Sequence, residues 1–248
     1  HGAVFAGEAN FTLITFGLAS TFSRARFHQG ARFHGGTFRG PADFSGAAFG
    51  GAADLSETVF AAEAGFSGVS WNAGPSFRRA AFGGVTDFSG TAFRGQPTFR
   101  QVRFAGEVRF LRADLAAGAD FEDTTFAGAG ADFGGARFAG RTLFSAPREE
   151  GRASRALGGA PASFREARVE EEGGLVLREA DLRRCALLGS DARSICFIQP
   201  VWPRMPGRTG RVGVFDEIAA QGGLEPRPWA LLEKLYRDLQ EGAAPQGA

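Results

Sequence analysis

With 248 residues, 44% of them hydrophobic, and a formal net charge of +1, the chain can bury one long core or two small ones. So balanced a charge supplies no overall field to recruit or repel nucleic acid, and no run of 18 apolar residues is present to span a membrane. Two cysteines, Cys185 and Cys196, make no disulfide framework and read as small hydrophobes in a reducing compartment, so the expected location is cytoplasmic.

The chain opens HGAVFAGEANF, with neither an initiator Met nor a basic-then-apolar leader, and reads as processed or trimmed at its start. A repeat begins at once. Large apolar residues fall at Phe5, Phe11, Phe16, Phe22, Phe27, Phe33 and Phe38, and the alternating steps of six and five run on to Phe126. Leu55, Trp71 and Leu115 take the place of Phe within the series, and one step of seven then leads to Phe133, Phe138 and Phe144. An α-helical stripe would lose this register within two turns. Two residues before each large one stands a small one, most often Ala; Ile14 is the larger exception. Side chains two apart in extended backbone share a face. Each unit is therefore a very short strand with one small and one large residue inward. The residue between them points outward and is often polar, as at Asn10, Arg32, Asp43, Asp54, Asp87, Arg109, Asp120 and Asp132.

Phe-Ser-Gly recurs at 44–46, 66–68 and 88–90, a spacing of 22, while the intervening units differ. Two fives and two sixes make 22, so the coil has four sides. Phe rings stack from coil to coil in offset or edge contacts, and the coils over 3–144 form a rod on the order of 30 Å long at ~4.8 Å per coil. Its first coil leaves a bare strand edge, which further residues, another chain or end-to-end association is expected to cover.

The Ala-x-Phe units and Ala180-Asp181-Leu182 resemble the pentapeptide-repeat proteins, whose units read A-(D/N)-(L/F)-x-x. The similarity is strong over 3–144 and loose over 162–198, and this chain is similar to the Phe-rich branch. The resemblance implies an all-β fold, a right-handed four-sided parallel β-helix.

Residues 1–144 are thus the regular β-helix. Charge, Gly and Pro over 145–163 predict a loop insertion, and 164–202 reads as irregular final coils. A Pro/Gly-rich connector spans 203–227, followed by the single convincing helix, 228–241, and a tail, 242–248. Trp229, Leu232, Leu235, Tyr236 and Leu239 form one apolar stripe on that helix. The stripe either covers the open end of the rod or pairs with another chain. The segment GRVGVFDE and LYRDLQ are also similar to the region after the coils in some larger bacterial members, where a longer helical part and sometimes membrane spans follow.

No nucleophile–base arrangement or metal-ligand spacing is visible around His1, His28 and His34, so the expectation is a chain that is not an enzyme and holds no metal or cofactor. One charge feature stands out. Arg94, Arg100, Arg103, Arg109 and Arg112 share a window with Glu107 as its acid, ahead of an acidic window containing Asp114, Asp120, Glu122, Asp123 and Asp132. The 22-residue register sets Asp87 beside Arg109 and Arg100 beside Glu122, which makes the band either inter-coil charge pairing or a partner-binding surface. Two functional classes follow. The first is a non-catalytic scaffold or protein–protein interaction module, with a protein partner or self-association. The second, implied by the resemblance, is a DNA-mimicking regulator of gyrase or topoisomerase. Such mimics are strongly acidic, whereas residues 1–144 hold 13 Arg against 12 Asp plus Glu. A soluble repeat part of a membrane-associated family member is a further alternative.

Overall fold

A computed structural model describes residues 1–146, 155–158, 160–171, 174–205, 213–221 and 229–242. Two-residue strands recur on four faces, and every pairing is parallel. Face A begins with Val4–Phe5, face B with Ala9–Asn10, face C with Thr15–Phe16 and face D with Ser20–Thr21. Faces A and D each carry eight strands in register and face C six, while on face B single pairings at Asp54, Ser76, Thr98 and Asp120 join two shorter runs. The chain is a four-sided parallel β-helix.

The register is 22 residues from Phe5↔Phe27 to Phe104↔Phe126. It becomes 23 at Val108↔Ala131 and Leu115↔Phe138. The added residue falls within Ala127–Gly130, where the sequence takes its step of seven, and Gly130 there has φ +141°.

Rings within one face lie nearly parallel. On face D, Phe44, Phe66, Phe88 and Phe110 follow one another at centroid separations of 5.1, 4.8 and 4.8 Å with interplanar angles of 6°, 7° and 11°. The edge contacts arise between different faces instead: Phe88 meets Phe77 and Phe99 of the opposite face B at 5.5 Å each, at 82° and 80°, and Phe82 of the adjacent face C at 77°. Stacking along the axis and edge-on closure across it fill the square with one residue type.

Two features shape the corners. Leaving faces B and D, the residue two after the inward Phe or Leu is left-handed from Phe11 to Phe133, with Gly at 35, 46, 68, 90 and 135 but Leu13, Arg24, Glu57, Arg79, Gln101, Arg112 and Asp123 at the others. Just before the corner, the outward Asp accepts the backbone N–H two residues on, as in Ser45 N to Asp43 Oδ1 at 2.9 Å and Ser89 N to Asp87 Oδ1 at 2.8 Å. The polar outward residue is thus a turn cap and not only a solvated group.

Two boundaries differ from the sequence reading. Within the expected loop 145–163, Ala156 already pairs with Ala180 and Ala162–Ser163 is a face D strand, so the rod resumes before 164; residues 147–154 and 159 lie outside the described residues. Within the expected connector 203–227, Phe215–Gln221 is a helix, α1, with Asp216 and Glu217 in its first turn, where the helix dipole favours acids. The flanking Gly and Pro hide so short a helix. The last helix, α2, spans Trp229–Gly242. Among the described residues no helix is long and apolar enough to cross a membrane.

Candidate functional surface

The five arginines of the basic band do not form one patch. Each side of the coil takes its share: Arg94 follows Phe93 on face A, Arg100 follows Phe99 on face B, Arg103 stands on face C and Arg109 on face D. Arg112 occupies the left-handed corner from D to A, with φ +53°. The band is a girdle around one coil. Arg100 reaches into the next coil, 2.6 Å from Glu122 and 3.5 Å from Asp120. Arg109 lies in register with Asp87 yet turns to Glu107 on its own coil, at 2.7 Å. The Arg109 guanidinium holds the Glu107 carboxyl below the usual range by hydrogen bonding first and by charge second. Arg94, Arg103 and Arg112 are exposed and make no ion pair with another described residue.

Arg137 bridges three successive levels of face A, 2.7 Å from Asp114 and 2.6 Å from Glu170. It straddles the insertion, and its hydrogen bonds draw the Glu170 carboxyl down. Sequence reasoning missed it because 33 residues separate Arg137 from Glu170, outside the regular register.

At the far end, Leu232 and Leu235 of α2 are buried, and Tyr236 and Leu239 pack partly buried against the core of the rod. The Trp229 side chain lies outside the described residues. α2 lies against Ala192–Ser194 and α1 against Cys185–Ala186, both in the final coils. Asp216 of α1, with its carboxylate all but fully buried, accepts the backbone N–H of Leu187 at 2.6 Å and pairs with Arg165 at 3.2 Å. The Tyr236 hydroxyl donates to Glu217 and accepts from Val214 N, which ties α2 to α1. No sequence signal marked this latch, since α1 itself was unread.

His28 is exposed and His34 half-buried on neighbouring faces, and among the described residues no three His, Cys, Asp or Glu side chains gather as a metal site. Cys185 is buried, and burial, then the nearby Asp216 and Asp181, push its thiol well above the ordinary range; Cys196 is half-buried.

The family model described as pentapeptide repeats (9 copies) matches residues 22–70 and 66–114. No curated protein matches the chain. Among solved structures it is 20% identical to HetL, a pentapeptide repeat protein involved in heterocyst differentiation regulation from the cyanobacterium Nostoc sp. strain PCC 7120, over 82% of this chain and 91% of that one, with a TM-score of 0.27. It is 15% identical to a trypsin-treated form of QnrB1, a plasmid-mediated fluoroquinolone resistance protein, over 79% and 91% of the two chains, with a TM-score of 0.27. At these scores neither likeness carries an argument about role.

Proposed function

We propose that this chain, a pentapeptide-repeat protein, is a non-catalytic β-solenoid scaffold that presents its sides to a protein partner in the cytoplasm. The observation that carries the reading is how its polar side chains are used. Outward Asp residues cap corners, and Arg100 and Arg109 of the band pair with acids between or within coils, which commits these groups to a stiff rod of fixed spacing. Arg94, Arg103 and Arg112 are the uncommitted cations of the girdle and the residues we assign to partner contact. The α1–α2 pair serves as the cap of the rod, because its apolar stripe is turned onto the last coils.

The experiment is affinity capture from the source cell by the parent chain and by an Arg94→Ser, Arg103→Ser, Arg112→Ser variant. A protein held by the parent and lost by the variant is expected. A purified gyrase supercoiling assay provides the opposing arm: inhibition at stoichiometric protein replaces the scaffold reading with DNA mimicry, against which the balanced charge of the rod argues.

A further inference from the structure

We propose that α1 and α2 form a lid that opens as one unit from the last coil while the rod beneath stays folded, with the Asp216 carboxylate as its latch. This goes beyond the scaffold reading, in which the pair is a fixed cap.

The latch is built on the ladder of face D. There the N–H of the inward Phe donates to the carbonyl of the outward residue one coil later, as in Phe88 to Arg109 at 2.7 Å, Phe110 to Asp132 at 2.6 Å and Phe164 to Ala186 at 2.8 Å. Leu187 comes next in this series, and Cys185–Ala186 is the last strand of its face. The Leu187 N–H donates to Asp216 Oδ2 at 2.6 Å. A side chain of α1 thus stands where the carbonyl of a further coil would stand. Closed, the lid covers a strand edge of the kind that, when bare, pairs with other chains.

Why should this seam open before the rod does? Among the described residues, the buried charged side chains are Asp216, Glu217 and Asp238, and all three belong to α1 and α2. Burying a carboxylate costs desolvation that pairing repays poorly. The rod is free of that cost: its coils are joined by stacked apolar side chains and a continuous backbone ladder. At Leu187 the seam relies on a side-chain acceptor, and Asp216 is held from the other side by Arg165, itself half exposed, where ion pairing contributes little. Sub-global opening draws on the least stable unit of a fold. The two helices lift together because the Tyr236 hydroxyl of α2 donates to Glu217 of α1 and accepts from Val214 N at 3.3 Å.

Hydrogen exchange of the intact chain, read by mass spectrometry on peptides from the last coil, the two helices and the mid-rod, tests this directly. The peptide holding Leu187 and the inner amides of α1 and α2 should share one opening, at least about tenfold more frequent than that of the amides around Phe88. Asp216→Ala removes a hydrogen bond to a carboxylate and should speed exchange at Leu187 and in both helices by a common factor of about 10 to 100, with the mid-rod unchanged. In that variant a short pulse of thiol reagent should also reach Cys185, whose strand lies against α1. Asp216→Asn keeps an acceptor for the Leu187 N–H and should recover most of the protection. Glu233→Ala, on the exposed side of α2, should change nothing. Helices that exchange only as often as the mid-rod amides overturn the proposal, because they then leave only with global unfolding. So does an Asp216→Ala variant that frees Leu187 but leaves α2 protected.

Discussion

Replacing Phe88 by Ala removes a ring from the middle of the face D stack. Phe88 is fully buried, stacked between Phe66 and Phe110 at 4.8 Å on either side, and met edge-on by Phe77 and Phe99. The neighbouring coils cannot close on the void. Their spacing is set by backbone hydrogen bonds such as Phe66 N to Asp87 O and Phe88 N to Arg109 O, both 2.7 Å. Lost transfer energy and an unrelaxed cavity together place the loss near 4–5 kcal/mol, the upper part of the ~3–5 kcal/mol range for Phe→Ala. Phe16, half-buried on the terminal coil and stacked on Phe38 alone at 4.4 Å, should lose only about 1–2 kcal/mol on the same change. Urea unfolding followed by far-ultraviolet circular dichroism compares the two. Because coils interact with their neighbours, a mid-rod lesion should also broaden or split the transition. An F88A curve that overlays the parent, or an F16A loss as large as that of F88A, refutes the inward stacking argument.

Arg112→Gly should stabilise the protein. Its register neighbours in the corner column are Gly90 and Gly135, and relieving a left-handed non-glycine at ~1–2 kcal/mol outweighs the ~0.5–1 kcal/mol of added chain entropy, raising the melting temperature. A thiol reagent should label Cys196 alone in the native protein and both cysteines after denaturation, since burial keeps Cys185 protonated and covered. The carboxyls of Glu107, Glu170 and Asp181, each lowered by hydrogen bonds from an arginine, give stability that is present above the unfolded carboxylate value of about 4. That stability disappears as pH falls through their lowered folded values, so acid should reduce the melting temperature and the loss should shrink in Arg137→Gln.

The rod was legible because one stacking interaction repeats without interruption. Each Phe recurs at its own address one coil later, so spacing alone yields the 22-residue register, and even the extra residue before Ala131 is visible as a step of seven. The identity of the outward residues was legible as polarity but not as function. That Asp43 and Asp87 cap corners depends on backbone N–H directions that no hydropathy pattern encodes. Corners at Glu57 and Arg79 likewise adopt positive φ against their own preference, imposed by the stacked neighbours on both sides. The end of the chain was read least well. α1 has only seven residues between Gly- and Pro-rich flanks, and its anchor, Asp216, acts through Arg165 and Leu187, which lie far away in sequence.

In a parallel stack in register, each outward residue has as its nearest neighbours the residues at the same address one coil away. The central column of face D runs Asp43, Gly65, Asp87, Arg109, Asp132, so no two carboxylates stand on adjacent coils. Like charges at one strand spacing would repel, and the alternation removes that repulsion whether or not a ligand exists. On this face the surface charge is therefore first a record of the stacking. Evidence of a partner has to come from residues that the stacking leaves unexplained. Within the girdle, Arg94, Arg103 and Arg112 qualify because they are exposed and make no ion pair with another described residue.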